Sequence, residues 1–79
     1  MNLEGKIVKY NVPEEYLHLN NGTPTAPAVV VTDWNPDEQV ENKLLNLKIL
    51  YDGDNTDWQI NVKHKANRHT EFHNWELYD

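Results

Sequence analysis

Leu44-Leu45-Asn46-Leu47-Lys48-Ile49-Leu50-Tyr51 runs directly into Asp52-Gly53-Asp54-Asn55, and Trp58-Gln59-Ile60-Asn61-Val62-Lys63-His64 follows. In the first segment Leu45, Leu47, Ile49 and Tyr51 recur at period two, with Asn46 and Lys48 on the alternate face. A helical stripe also fits those apolar positions, but the Asp-Gly turn and the second alternating segment favour strand, turn, strand. In the second strand Trp58, Ile60 and Val62 are expected together on one face.

The same period extends upstream. Gly5 opens Lys6-Ile7-Val8-Lys9-Tyr10-Asn11-Val12, in which Val8, Tyr10 and Val12 share a face until Pro13 ends the strand. Glu14 to Leu19 fits either one helical turn or a ragged edge, and is read as a loop before Asn20-Asn21-Gly22. Pro24 and Pro27 frame an extended approach to Ala28-Val29-Val30-Val31-Thr32-Asp33-Trp34, whose β-branched run suits a central strand covered on both faces. Asn35-Pro36-Asp37-Glu38 reads as a short turn or surface connection, and Glu71 to Tyr78 as a last aromatic strand. The expectation is a single all-β domain over residues 1–79, a small SH3-like antiparallel barrel or, alternatively, a strongly bent five-stranded sheet. A chain of this size buries only about 60% of its unfolded surface, so an oligomer is also expected.

Composition excludes several classes of function. Thirteen acidic against seven basic residues give a net charge of −6, which argues against a binder of long nucleic acid. The charge is unevenly placed: no Asp or Glu occurs from Trp58 through Thr70, where Lys63, Lys65 and Arg68 cluster with His64 and His69. That window gives a compact anion a physical basis for binding. The lack of cysteine removes disulfides and thiolate zinc sites and fits a reducing cytosol. Met1 to Lys9 holds no apolar run of signal-peptide length, and nothing approaches the ~18 apolar residues of a membrane span, so no membrane partner is expected.

No catalytic motif is visible. There is no glycine-rich phosphate loop, no Ser/His/Asp set and no cysteine nucleophile, and His69 and His73, four residues apart, lack a third ligand for a metal. A protein that is not an enzyme and needs no cofactor is expected. The aromatics lead further. Trp34, Trp58 and Trp75, with Tyr10, Tyr16, Tyr51, Tyr78 and Phe72, are many for so small a core, so some are expected at a rim or between subunits. For any one ring the core is the simpler place, and Trp75, flanked by His73, Asn74 and Glu76, is the first candidate for an exception. Asn46 either faces solvent or presents its amide to a base edge or ribose. Asp52 is either turn chemistry or an acceptor for a guanine edge.

Gly5-Lys6-Ile7-Val8-Lys9-Tyr10, Pro27-Ala28-Val29-Val30-Val31 with Trp34, Asn46-Leu47-Lys48-Ile49 leading to Asp52-Gly53, and Phe72-His73-Asn74-Trp75 occur in one order along the chain. In that order they resemble a group of small phage-encoded anti-CBASS sponge proteins, which sequester cyclic dinucleotide immune signals. The resemblance covers most of the chain. It implies a β-rich protomer that assembles as a homotetramer in the host bacterial cytoplasm and binds signals such as 3′3′-cGAMP without cleaving them. Carried over by motif, Tyr10, Pro27, Ala28, Trp34, Asn46, Asp52, Gly53, His73 and Trp75 are the matching positions, of which the polar and aromatic ones are expected contacts. Lys63, Lys65 and Arg68 join them as cations for the phosphates. The chain departs from the family's aromatic-His-Trp-Pro ending, since Asn74 intervenes and Glu76 follows Trp75. The alternative is an SH3-like protein-interaction module whose exposed aromatics grip a peptide and whose acidic surface suits a basic partner.

Overall fold

In the computed structural model, which describes residues 1–67 and 73–78, five strands form one antiparallel sheet. They are β1 (Ile7–Asn11), β2 (Thr25–Asp33), β3 (Leu44–Leu50), β4 (Thr56–Lys63) and β5 (Asn74–Glu76), in the order β4-β3-β2-β1-β5. The sheet curls into a half-barrel, and an isolated parallel bridge between His64 and Trp75 draws the end of β4 towards β5. This is the strongly bent five-stranded sheet that the strand periods predict.

Period two builds the concave core. Val8 and Tyr10 of β1, Ala26, Ala28 and Val30 of β2, and Leu45, Leu47 and Ile49 of β3 are all buried, with Val12, Tyr51 and Trp75 beside them. Leu17 and Leu19 pack on this cluster from Glu14–Asn20, which is a 3-10 helix where the sequence reads as a loop. Its end is fixed by Asn20, whose side chain donates to the carbonyls of Thr23 and Thr25 and accepts the N–H of Asp52. Burial of Leu17 and Leu19, with those three bonds, stabilises a segment whose own helix propensity is low.

Two expectations about faces are corrected. Val62 is buried, but Trp58 and Ile60 point outward, because the register shifts between Leu45↔Val62 and Leu47↔Gln59. The extra residue on β4 is accommodated by Asn61 at φ 55°, a left-handed conformation that asparagine tolerates better than most. The strand β2 is central but covered on one face only: Val31, next to the inward Val30, is exposed, and a second bulge between Val30 and Thr32 then turns Asp33 inward and Trp34 outward. The last strand is shorter than expected, Asn74–Glu76, and Glu71 and Phe72 lie outside the described residues.

The loop after β2 is held by a buried ion pair that the sequence reading does not single out. Lys43 Nζ donates to Asp33 Oδ2 at 2.8 Å and to the carbonyls of Asn35 and Pro36 at 3.1 and 2.9 Å, and both charged side chains are fully buried. Asp33 also accepts the N–H groups of Leu3 and Asn35. Burial pushes the Asp33 carboxyl up, but the Lys43 hydrogen bond and those backbone donors outweigh it and hold the group below its usual range.

Two stability predictions follow from this packing. Lys43→Met strands a buried carboxylate and is expected to cost about 3–5 kcal/mol in urea unfolding followed by circular dichroism, whereas adding Asp33→Leu removes the stranded charge but orphans the Leu3 and Asn35 N–H groups, and recovers only part of the loss. Tyr51→Phe should be neutral or stabilising by up to about 1 kcal/mol, since the buried Tyr51 hydroxyl has no hydrogen-bond partner among the described residues. Burial, then the charges of Asp57 and Tyr16, push that hydroxyl up to about 12.

Candidate functional site

Trp34 leaves the end of β2 with its backbone N–H donating to the Leu44 carbonyl at 3.1 Å. Its indole Nε1–H donates to Asn46 Oδ1, also at 3.1 Å, and the same oxygen accepts the Asn61 N–H at 3.0 Å. Asn46 lies on β3 opposite the β4 bulge, so one side-chain amide both satisfies the backbone of the bulge and fixes the tilt of the indole. The ring remains 58% exposed. A large aromatic surface held rigid at its polar edge and open to solvent is suited to stacking, because little rotamer freedom remains to be lost on binding.

Beside Trp34, an open cleft of about 380 Å³ is lined by Asn42, Lys43, Leu44, Lys63 and Asn67. Leu44 connects the two features: its carbonyl receives Trp34 and it pairs across the ladder with Lys63. Lys43 is committed to Asp33, so Lys63 is the cation that the cleft can offer an anion, and no carboxylate among the described residues is within ion-pair distance of it. The 3-10 helices Val40–Asn42 and Lys65–Asn67 form the rim. The Asn67 amide donates to the Glu41 carbonyl and to Asn42 Oδ1, which ties the two turns together.

Three residues of the expected set, Trp34, Asn46 and Lys63, thus meet at one end of the convex face. The others do not join them. Tyr10 and Trp75 are wholly buried, so neither is a stacking surface; two large rings on the concave side of so small a sheet are needed to fill it. His73 Nδ1 and the Tyr10 hydroxyl are hydrogen-bonded at 2.8 Å, with the two rings edge to face. Asp52 is turn chemistry: it accepts from the Asn21 amide and from the Gly53 N–H, and Gly53 takes φ 82°. Pro27 lies within β2 and Ala28 is core. Lys65 faces Glu76 at 3.6 Å on the surface, and Arg68 lies outside the described residues, as does His69.

Asn42 and Asn67 are cleft residues that the sequence reading misses. Neither belongs to an apolar period or a motif, and only the folding of two separate 3-10 turns brings them together. Among the described residues no group of three or more His, Asp or Glu is placed to hold a metal ion, and no helix is long and apolar enough to cross a membrane. Comparison with protein-family models, with curated proteins and with solved structures yields no match.

His64 follows Lys63 at the end of β4. Its ring stands edge-on to Trp75 at 4.7 Å, and its Nδ1 accepts the Ala66 N–H at 3.0 Å, a bond that requires an unprotonated nitrogen. Burial lowers its pKa, against the opposing pull of Glu41 and Glu76. A histidine with a depressed folded value contributes stability that is present above its ordinary 6.5 and lost as pH falls through the folded value. The melting temperature of the wild-type chain is therefore expected to fall more between pH 7.5 and pH 5 than that of His64→Gln, measured in parallel calorimetric scans; identical slopes would refute the assignment.

Proposed function

We propose that this chain is a non-catalytic binder that sequesters a cyclic dinucleotide of the 3′3′-cGAMP type, as a phage immune-evasion sponge acting in the cytoplasm of a host bacterium. The observation that carries the reading is the juxtaposition of Trp34, anchored by Asn46, with the Lys63 side of the adjoining cleft. The order of motifs along the chain supports the same ligand class. Recognition of a compact, base-bearing anion asks for a preorganised aromatic face, a cation for phosphate and amides for edges or ribose. Trp34 supplies the first, Lys63 the second, and Asn42, with the amide NH2 of Asn46, the third.

Assembly into a homotetramer is part of the proposal. A protomer with an open cleft gains enclosure only if another surface completes it, and symmetry would then repeat the site in each subunit. Sequestration needs no chemistry at the phosphodiester: a bound signal is withdrawn from its receptor by mass action, and the ligand leaves unchanged.

Isothermal titration calorimetry with a panel of cyclic di- and trinucleotides tests the reading. Saturable binding of at least one member is expected, with recovery of intact ligand after the complex is heated. Trp34→Ala and Lys63→Gln should each weaken it at least about tenfold, corresponding to the loss of one stacking or charge-assisted contact. Absence of heat at tens of micromolar protein, or the appearance of a linear product, would sink the proposal. Light scattering on the same samples checks the tetramer.

A further inference from the structure

Ile7, Val29, Lys48 and Trp58 are directly paired neighbours on β1, β2, β3 and β4, and they all point to the convex face. They form one straight row across four strands, about 15 Å long at the usual strand spacing. Ile60, 65% exposed, and Val31, 41% exposed, widen the row at its β4 end and middle. The outward turn of Trp58 and Ile60 is enforced by the β4 bulge, so this apolar surface is built by the fold rather than left over at a loop.

The charge of this face runs against that of the chain. The net charge is −6, yet the strand residues on the convex side carry Lys9, Lys48 and Lys63 against one carboxylate, Glu76, which is already engaged by Asn11 and Lys65. Lys48 sits within the apolar row, between Val29 and Trp58, with no carboxylate among the described residues within ion-pair distance. Exposed apolar area of this kind marks an interaction site, and the embedded cation specifies the sign of what meets it.

We propose that this row docks an acidic protein segment bearing apolar side chains, with one of its carboxylates placed on Lys48. The row adjoins the Trp34 cleft on the same face, but its recognition through Ile7, Val29, Lys48 and Trp58 does not depend on the ligand proposed for the cleft. A second copy of the chain fits poorly, since opposing the same face across a two-fold axis brings Lys48 towards its own equivalent and Lys9 and Lys63 towards further lysines. Nucleic acid fits poorly too: three lysines on an acidic chain provide little phosphate neutralisation, and Ile7, Val29 and Ile60 offer nothing to a base. The preference is the reverse of the basic partner that the overall acidity suggests.

Titration of ¹⁵N-labelled protein by NMR tests this, with a set of synthetic peptides alternating Glu and Leu, the same peptides with Lys for Glu, and vesicles containing anionic lipid. Saturable shifts at Ile7, Val29, Lys48 and Trp58 are expected with the acidic peptides at a Kd below about 1 mM. Lys48→Glu, a surface change that leaves the dispersed spectrum of the folded chain intact, should weaken the acidic peptides at least about tenfold and favour the lysine set. Trp58→Ser should weaken both. The proposal is overturned by the absence of saturable shifts, by equal response to the two peptide sets, by response to vesicles alone, or by the same resonances moving with protein concentration alone.

Discussion

Asn46 is the position on which the curvature of the sheet turns. Both neighbouring strands carry an extra residue level with it: Val31 on β2, between the pairs Val30↔Leu47 and Thr32↔Asn46, and the Ile60-Asn61 step on β4. A bulge bends its strand and increases the local twist, so two of them flanking one point of β3 fold the sheet on itself there. Each also removes a backbone group from the regular ladder. The Asn46 carbonyl oxygen takes up the Asn61 N–H that the β4 bulge would otherwise leave without a protein acceptor, and the Trp34 indole with it. Curvature, the outward turn of Trp58 and Ile60, and the fixed tilt of Trp34 therefore share one cause.

The buried pair Asp33–Lys43 does for the connection between β2 and β3 what Asn46 does for the strands. Two desolvated charges cost more than their mutual attraction returns unless their remaining donors and acceptors are filled. Here the ammonium has three acceptors and the carboxylate two backbone donors besides. The geometry is specific for that reason: the carbonyls of Asn35 and Pro36 must converge on Lys43, which fixes the turn between Trp34 and the 3-10 helix Val40–Asn42. The amino terminus is drawn into the same knot through the Leu3 N–H on Asp33 and the Met1 amine on the Pro36 carbonyl. Trp34 and Asn42 lie on either side of this clamp along the chain and are positioned by it.

The sequence makes the strands legible wherever a strict alternation meets one buried face. Leu45, Leu47 and Ile49, and Val8 and Tyr10, sit inward as their period requires. The period fails where a bulge intervenes: Trp58, Ile60 and Val62 alternate without fault in the sequence, yet one inserted residue sends Val62 inward and the other two outward. Nothing in Ile60-Asn61 announces this beyond asparagine's tolerance of a positive φ. The polar neighbours of Trp75 do not mark it as exposed, because His73, Asn74 and Glu76 are hydrogen-bonded around a β5 strand whose alternate residue is core. Of the expected contacts, Trp34, Asn46 and Lys63 converge because β2, β3 and β4 are adjacent in the sheet, an arrangement that only topology provides. Asp33 and Lys43 are illegible for a related reason, since a buried ion pair reads in sequence as two ordinary surface residues.

Segregation of charge follows from the same construction. Glu14, Glu15, Asp37, Glu38, Asp52 and Asp54 all fall in connections, where turns and a 3-10 helix favour them, whereas Lys9, Lys48 and Lys63 occupy outward strand positions. A curled sheet places its connections around the rim and its outward residues on the convex side, so the fold sorts acids from cations without a dedicated element. An approaching anion is repelled by the acidic connections and attracted by the lysines of the convex face, which is also where Trp34 and Trp58 are exposed. Aromatic area and positive charge thus coincide on a chain whose net charge is −6: Lys9 and Lys48 face outward by simple alternation, and the two bulges turn Trp34 and Trp58 to the same side.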